Sequence, residues 1–247
     1  MERKVIKSAG RVLQVLEFFD DVKRPLAVAE IAEHHGWPHS STSALMSSLV
    51  TLGYLHYDSG KRIYQPSMRV ALLGDWIQGN LLKDGQLMRL LQHLNDETGE
   101  TIVLAAQNGL HSQYLRVIQG TTALRMHLHI GMLRPLFGSG TGSMLLSHME
   151  DNMIRKLARR FNATAATEKQ VDSTKLLHDI AADRVRGYAM SLNQVTPHSG
   201  LIAMLLPTPA QDKPLVLGIS GLTVRLVENE QRYAQAMRNG MKRFLVE

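Results

Sequence analysis

The sequence contains no cysteine among its 247 residues, which excludes disulfide bonds, thiolate metal sites and cysteine nucleophiles. It also lacks any run of about 18 apolar residues, the length that a membrane-spanning helix needs. The opening segment, MERKVIKSAG, has no apolar stretch after its charges, as a secretory signal would. We therefore expect a cytoplasmic protein that does not associate with a membrane.

Positive charge is not concentrated at the N-terminus. The chain has 28 Lys and Arg against 22 Asp and Glu, a formal net charge of +6. Residues 1–66 contain 8 basic and 7 acidic residues, whereas the remainder contains 20 and 15. The excess suggests a polyanionic partner but does not locate where it binds.

Two short amphipathic helices are predicted near the N-terminus. RVLQVLEFF, residues 11–19, has apolar side chains at the i, i+3, i+4 and i+7 spacing of one helix face, and Ser8 can cap this helix. LAVAEIAEHHG, residues 26–36, places Val28 and Ile31 on one face and ends at Gly36, which suits the position after a helix.

A third helix is predicted after a very short turn. Pro38 fits its first turn, Leu45, Leu49 and Leu52 supply a buried stripe, and Gly53 ends it. Two helices joined so closely form a helix-turn-helix, whose second helix enters the major groove of DNA. Residues 54–57 and 62–65 then form a hairpin around Asp58-Ser59-Gly60. The unit is thus a predicted winged helix-turn-helix.

The far side of the third helix is polar and uncharged. If the leucines face the core, His39, Ser40, Ser43 and Ser47 share the opposite face, where hydroxyls can contact phosphates or base edges. The alternative is a solvated face in a domain that binds protein or nothing. The predicted DNA-binding residues are Arg11, His39, Ser40, Ser41, Ser43, Ala44, Ser47, Lys61 and Arg62.

The stretch IAEHHGWPHSSTSALMSSLVTLGYL, followed by the hairpin and PSMRVALLG, resembles the IclR family of bacterial transcriptional regulators. Members of this family commonly carry Lys at the position of His39 and Arg at the position of Ala44. Both departures remove positive charge from the third helix, which we call the reading helix. We expect a looser operator preference or a larger share of contact from the wing and from basic residues near the N-terminus. These residues are Arg3, Lys4, Lys7 and Arg11.

From Thr101 onward the periodicity predicts an antiparallel α+β domain. TIVLAAQ and HSQYLRVI flank Asn108-Gly109, which favours a two-residue hairpin loop. LRMHLHI, YAMSL, LIAMLLP and LVLGIS read as further strands. Helices are predicted near Gly140, across residues 151–158 and 174–186, and from Val227. The resemblance implies a GAF-like sensor domain.

The composition and length favour two domains. We predict a winged helix-turn-helix over residues 1–66, a linker helix over 67–83 and an effector-binding domain over 84–247. One winged helix-turn-helix domain reads few base pairs, so we expect two such domains to bind a near-palindromic double-stranded DNA operator. The resemblance implies a homodimer or a dimer of dimers. The apolar stripe Leu87, Leu90, Leu91 and Leu94 is compatible with either assembly.

The glycine-rich segment IGMLRPLFGSGTGSMLL, residues 130–146, is the candidate ligand loop. A helix beginning near Gly140 offers free N–H groups and the positive end of its dipole to a carboxylate or phosphate. A pure turn-and-cap role fits the residues equally well. The spacing G-x-G-x-G, without a surrounding βαβ unit, does not match a dinucleotide fingerprint, and no cofactor is predicted.

The resemblance favours ligand binding, because the family places its effector beside this loop. It implies that the effector contacts Met126, Leu136, Gly138, Gly140, Thr141, Asn193, Leu201, Ala203, Gly218 and Ser220. Some relatives carry Asp near Asn193, Cys at Ala203 and Ser at Gly218. Without the acidic residue, the pocket repels an anion less, and the two smaller side chains enlarge it. These differences suggest that the effector is a small organic acid with more than two or three carbons, aromatic acids included. Bulky neighbours such as Met204 or Phe137 could instead keep the pocket small.

No catalytic or metal-binding set is predicted. His127 and His129 can share a face but have no local carboxylate. Ser220 lies in GISGL, where Leu222 replaces the second glycine of a nucleophile elbow. We interpret the chain as a ligand-responsive DNA-binding regulator of catabolic genes. The alternatives are an enzyme acting on a small acid and a regulator without effector control. A basic segment contains Arg155, Lys156, Arg159 and Arg160. Its charges are typical of a solvent-exposed helix face, and the alternative is an auxiliary DNA contact.

Overall fold

The computed structural model describes residues 6–73, 85–167, 170–207 and 214–246. The chain divides into two compact units, residues 1–78 and residues 79–247. Each unit has hydrophobic core residues of its own. Within the described residues, no helix is long and apolar enough to cross a membrane.

The N-terminal unit is a winged helix-turn-helix, as predicted. Its small antiparallel sheet has the strand order β1-β3-β2, and its first strand, only two residues long, was not predicted. The elements are α1 (Lys7–Val22), β1 (Leu26–Ala27), α2 (Val28–His35), α3 (His39–Thr51), β2 (Leu55–Asp58), β3 (Ile63–Pro66) and α4 (Met68–Leu72).

The first two helices follow their apolar patterns. Val15, Phe19 and Ile31 are buried in one cluster, and Gly36 ends α2 with a φ of 64°, a left-handed conformation that glycine adopts without strain. The predicted cap at Ser8 is wrong. Helix α1 begins one residue earlier, and its capping position is Ile6, which makes no side-chain hydrogen bond.

The predicted buried stripe of α3 is wrong at one end. Leu49 is buried, but Leu52 is 57% exposed and Leu45 is only half-buried. Thr42 and Met46 are fully buried in place of these leucines. Thr42 can be buried because its hydroxyl donates to the Pro38 carbonyl at 3.1 Å, which satisfies the polar group, and the flexible Met46 side chain fills the space one turn later.

Only the beginning of the predicted linker helix lies among the described residues. Helix α4 is capped by Ser67, whose hydroxyl oxygen accepts from the Arg69 amide and donates to the Gly53 carbonyl at 2.6 Å. The bond to Gly53 fixes the start of α4 to the residue that follows the reading helix. Residues 74–83 of the predicted linker lie outside the described residues.

The second unit is an antiparallel α+β fold, as predicted. Its six strands have the order β6-β5-β4-β9-β8-β7. The elements are α5 (Gln86–Thr98), β4 (Thr101–Asn108), β5 (His111–Ile118), β6 (Leu133–Pro135), α6 (Gly140–Ser147), α7 (Asp151–Asn162), α8 (Ser173–Arg186), β7 (Ala189–Leu192), β8 (Ser199–Leu205), β9 (Leu215–Leu222), α9 (Thr223–Glu228) and α10 (Glu230–Leu245).

The apolar stripe of α5 belongs to the core of this second unit. Its four leucines are at most 2% exposed and lie in one cluster with Met237 of α10. A Cβ placed on Gly240 of α10 would be 2.7 Å from Leu90 Cδ1, so the two helices pack closely through this glycine. The stripe is therefore covered within the chain, and the expected homodimer or dimer of dimers stays a prediction.

The predicted strand LRMHLHI is also wrong. Residues 124–130 contain no strand. Three of the segment's carbonyls accept from side chains instead of from a neighbouring strand, namely Leu124 from Arg225 Nη2 at 2.7 Å, Met126 from the Thr101 hydroxyl at 2.7 Å and Leu128 from the Gln119 amide. Side-chain donors thus replace the backbone ladder that the alternating pattern suggested.

Candidate DNA-binding and effector sites

The exposed face of α3 consists of short side chains. His39, Ser40, Ala44 and Ser47 are exposed, and Ser43 is half-buried. The helix contains no acidic residue, Lys or Arg. Short side chains of this kind let a helix backbone approach the bases closely.

Some hydroxyls along α3 already form hydrogen bonds within the protein, and others do not. Those of Ser48 and Thr51 donate to carbonyls one turn earlier, at 2.8 Å and 3.0 Å, and Ser47 is hydrogen-bonded to Tyr64. Within the described ranges, the side chains of Ser40 and Ser43 have no hydrogen-bond partner. These two hydroxyls are free to contact phosphates or bases.

Arg11 of α1 lies beside the start of α3. Its guanidinium carbon is 4.7 Å from the centre of the Trp37 ring, and its Nη1 donates to the Ser41 hydroxyl at 3.4 Å. Ser41 in turn donates to the Pro38 carbonyl at 3.0 Å. This arrangement places a cation next to the N-terminal end of the reading helix, where helix dipole and side chain both favour a phosphate.

The Trp37 ring is held by a stack of histidines. It stacks on His35 at a centroid distance of 4.3 Å, while His34 stacks on Phe18 at 3.8 Å. Burial, and secondarily the neighbouring His34, lower the pKa of His35, and its Nε2 is buried without a partner in the part of the chain that the structure describes. A neutral ring fits these surroundings, and it supports the tryptophan under Arg11.

The wing carries its two cations at the tip of the β2–β3 hairpin. Lys61 and Arg62 are exposed, and Arg62 has a φ of 56°. The Lys61 amide donates to the Asp58 carboxylate at 3.0 Å, which closes the turn. Both charges are therefore presented to solvent, as a wing that contacts phosphates requires.

In the second unit, a small cavity lies beside the N-terminus of α6. Its volume is about 40 Å³. Of the predicted effector residues, five line this cavity: Met126, Gly140, Thr141, Leu201 and Ser220. A second, open cavity of about 530 Å³ lies next to it, is also lined by Gly140, and includes the predicted residues Leu136 and Gly138.

Three predicted effector residues line neither cavity. Ala203 is fully buried. A Cβ on Gly218 would be 2.8 Å from Val103 Cγ2 and 3.0 Å from Leu201 Cδ1, so side chains fill the space beside this glycine. Asn193 is exposed with a φ of 57°, and its Oδ1 accepts from the His198 amide at 2.8 Å. Asn193 therefore closes the loop after β7 and does not line either cavity.

The packing beside Gly218 leaves no extra space at that position. The smaller residue there was predicted to enlarge the pocket, but the side chains of Val103 and Leu201 occupy the space. The compensating neighbours are thus neither Met204 nor Phe137. A cavity needs about 10–15 Å³ of space open to a water-sized sphere to hold one water, so a cavity of about 40 Å³ accepts only a small group without movement of Leu201.

Several polar residues of the cavity were not predicted, and Arg134 and Tyr114 are two of them. Arg134 of β6 and Tyr114 of β5 both line it, and the guanidinium carbon is 5.6 Å from the ring centre. Burial raises the pKa of Tyr114, whereas its hydrogen bond to Arg134 acts in the opposite direction. The sequence signal that could have identified Arg134 is a cation just before the glycine-rich segment. The position of Tyr114 in the cavity wall depends on the pairing of β5 with β6, which the sequence does not specify.

Thr141 is the most informative polar group in the cavity. Its side chain is 1% exposed, and within the described residues its hydroxyl has no hydrogen-bond partner. The preceding Ser139 caps α6, accepting from the Gly142 amide at 3.1 Å. First-turn N–H groups have no partner inside a helix, so the Thr141 hydroxyl and the Gly140 and Thr141 amides are polar groups without a partner inside α6.

The other polar candidates do not form a reactive set. Ser220 donates to the Gly200 carbonyl at 3.1 Å. The rings of His127 and His129 are 4.6 Å apart, and both residues are exposed. Among the described residues, no group of three or more His, Cys, Asp or Glu could hold a metal ion.

Comparison with known proteins accounts for both units. Residues 85–243 match the family of bacterial transcriptional regulator IclR C-terminal domains, and residues 8–59 match the IclR helix-turn-helix domain. The acetate operon repressor of Salmonella typhimurium (strain LT2) is 25% identical, over 94% of this chain and 86% of that protein.

Two crystal structures show the same fold. The effector domain of a transcriptional regulator, IclR, from Acinetobacter sp. ADP1 is 30% identical with a TM-score of 0.61, covering 68% of this chain and 98% of that one. An IclR family transcriptional regulator from Brucella abortus is 26% identical with a TM-score of 0.59, covering 98% of this chain and 93% of that one.

The two family matches cover most of the chain and coincide with the two units that the structure separates. They confirm the resemblance seen in the reading helix, the wing and the second unit. They also decide against the enzyme interpretation, because members of this family are transcriptional regulators. The chain belongs to the IclR family of bacterial transcriptional regulators and is a DNA-binding transcriptional regulator.

Proposed function

We propose that this regulator binds a near-palindromic operator through the exposed face of α3, the wing tip and Arg11, and that a small carboxylate bound beside Gly140 changes its affinity for DNA. In this proposal it acts as a homodimer or a dimer of dimers and controls catabolic genes. A ligand that binds one arrangement of the sensor units more tightly shifts the population toward that arrangement.

The effector part of this proposal rests on the buried Thr141 hydroxyl, which has no hydrogen-bond partner among the described residues. A carboxylate has two oxygens that accept hydrogen bonds, and the Gly140 and Thr141 amides with this hydroxyl supply matching donors at a helix N-terminus. Arg134, in the wall of the same cavity, adds a positive charge. Buried polar groups usually have a partner, and a bound carboxylate would provide one here.

The volume of the cavity favours a short aliphatic acid over an aromatic one. Ligand pockets for larger molecules generally exceed about 300 Å³, whereas this cavity measures about 40 Å³. An aromatic ring would have to displace Leu201 or open the wall toward the second cavity. We therefore infer that the effector is a small acid such as acetate, pyruvate or succinate in size.

Acetate, pyruvate, succinate and benzoate, tested one at a time, should distinguish these sizes. We expect one or more of the aliphatic acids to raise the melting temperature and benzoate to leave it unchanged, because a ligand at about 100 times its Kd stabilises the folded state by about 2.7 kcal/mol. The variant Leu201→Ala, which removes the side chain that fills the pocket, should gain a response to benzoate.

The matched control is Leu217→Ala, which removes an equally large side chain from the other hydrophobic cluster of the sheet. It should lower stability without changing which acids bind. Stabilisation of the unmodified protein by benzoate alone would contradict the proposed effector size. No stabilisation by any acid, with binding to DNA unaffected by all of them, would favour a regulator without effector control.

The reading face is tested by placing a negative charge on it. Ala44→Glu should weaken operator binding by about tenfold to a hundredfold, because a carboxylate facing the groove repels phosphates and blocks close approach of the helix. The measurement is a binding titration on an operator selected from random duplexes. Ala71→Glu, the same change at an exposed position of α4, should bind almost as the unmodified protein does. Equal effects of the two variants would remove α3 from the proposed interface.

A further inference from the structure

Helix α7 of the second unit carries four cations on its solvent side. Arg155, Lys156, Arg159 and Arg160 are all exposed. Across the ranges that the structure describes, none of the four makes a side-chain hydrogen bond or an ion pair. Unpaired charges of one sign along a single helix face repel one another, so this face is suited to a polyanion rather than to the fold itself.

The opposite face of α7 is fixed in the core. Ile154 and Ala158 are fully buried in the cluster that contains Leu145 and Ile180. The apolar face of the helix is therefore unavailable for insertion into a lipid surface, which a basic amphipathic helix would otherwise suggest. The four cations are held on a rigid support.

The spacing of the cations matches a phosphate backbone. Arg155 and Arg159 form one i, i+4 row, and Lys156 and Arg160 form the adjacent row. With a rise of about 1.5 Å per residue, the set spans about 7.5 Å along the helix axis. Duplex DNA presents one negative charge per about 1.7 Å of its axis, so several phosphates fall within reach of this array.

The fold offers only a partial structural reason for these charges. Arg159 and Arg160 lie in the last turn of α7, where the helix dipole favours cations, but Arg155 and Lys156 lie in earlier turns. The acidic residue at the start of the helix, Asp151, is already paired with Arg184 at 2.9 Å. The excess charge of α7 is therefore not neutralised from its own N-terminal end.

We propose that this basic face of α7 is a second, sequence-independent contact with DNA, binding phosphates that flank the operator. Double-stranded DNA is the polyanion that the chain binds as a regulator. Because the winged unit holds the chain on its operator, the second unit meets the neighbouring duplex at a high effective concentration. A contact of phosphates alone adds affinity and salt dependence without reading bases.

The test measures the affinity of the full chain for its selected operator at several salt concentrations, on a duplex with long flanks and on one trimmed to the operator. For Arg155→Gln/Arg159→Gln on the long duplex, we expect the log–log salt slope to fall by about two for each chain bound to the operator, since each lost phosphate contact contributes about 0.9. The Kd at low salt should rise about tenfold or more. On the trimmed duplex, the variant and the unmodified protein should agree.

The matched control is Lys242→Gln/Arg243→Gln, which removes two exposed cations from the end of α10 and should leave the slope unchanged on both duplexes. Equal slopes for the α7 pair and this control would overturn the proposal. A change in oligomeric state of the α7 variant by sedimentation, with the slope unchanged, would assign the face to a second copy of the chain and would also overturn it. Melting temperatures verify that both variants fold.

Discussion

Replacing Arg225 with methionine should lower the free energy of unfolding of the second unit by about 3–5 kcal/mol, the usual cost of removing one partner from a buried ion pair. The partner is Glu100, whose side chain is 0% exposed. Arg225 reaches it from α9 with two donors, Nε to Oε1 and Nη2 to Oε2, the latter at 2.9 Å. Without the guanidinium, a carboxylate would remain buried with no positive partner.

The surroundings of Glu100 offer little compensation. The Tyr233 hydroxyl is 3.4 Å from Oε1, and Gly221 lies against the carboxylate, since a Cβ there would be 2.6 Å from Oε2. Hydrogen bonding to Glu100 raises the pKa of Arg225, which shows that the pair favours the charged guanidinium. The site is therefore shaped around an ion pair.

Urea unfolding of matched variants measures this effect. Arg232→Met removes an exposed arginine from the adjacent helix, where it donates to the Glu97 carbonyl at 3.1 Å, and should cost less than about 1 kcal/mol. The double variant Glu100→Leu/Arg225→Met should recover most of the lost stability, because an apolar pair can replace a buried ion pair. If the double variant were as unstable as Arg225→Met, the loss would come from packing and not from an unpaired charge.

The same arginine connects stability to the candidate effector cavity. Its Nη2 also donates to the Leu124 carbonyl at 2.7 Å, in the segment whose Met126 and Leu128 line the cavity. This segment has no strand hydrogen bonds to hold it, so side chains such as Arg225 and Thr101 fix its position. We infer that the ion pair supports the cavity wall as well as the core.

The elements with strong periodic patterns could be predicted from the sequence. The leucines of α5, the apolar run of β4 and the Asn108-Gly109 turn before β5 specify their elements locally. Helix α3 was harder because it has no charged residue to mark its solvent face, and leucines at positions 45, 49 and 52 made a plausible but wrong stripe. Its orientation was decided by Thr42 and Met46, which pack well only once the Pro38 carbonyl and the surrounding core are in place.

The candidate cavity could be predicted only in part. The glycine loop and the start of α6 followed from local residue types, and the structure places Gly140 and Thr141 in the cavity wall. Its other side depends on long-range pairing: β5 against β6 brings Arg134 and Tyr114 together, and Leu201 occupies the space beside Gly218. Sequence comparison of single positions could not show that a neighbour had filled the space left by a smaller residue.

Gly142→Ala should be the most damaging small substitution in the second unit, with a loss of about 3 kcal/mol or more in unfolding free energy, at or beyond the upper range for overpacking. A Cβ at this position would be 2.1 Å from the Leu136 carbonyl oxygen and 2.7 Å from its carbon. These are backbone atoms, and the Leu136 amide is itself fixed to the Leu110 carbonyl at 3.0 Å. Neither side can yield without disturbing the hairpin or the start of α6.

Gly140→Ala, two residues earlier in the same helix, is the matched control. Its Cβ would be 3.0 Å from Leu201 Cδ2 and 3.3 Å from Ser191 Cβ, and the leucine side chain can move. We expect a loss near 1 kcal/mol, measured by urea unfolding, together with a weaker thermal shift from the aliphatic acid that stabilises the unmodified protein. Equal unfolding losses for the two variants would mean that the backbone at Leu136 yields more readily than its hydrogen bonds indicate. An undiminished response of Gly140→Ala to the acid would place the effector elsewhere, because the added methyl group occupies the cavity wall beside the proposed carboxylate donors.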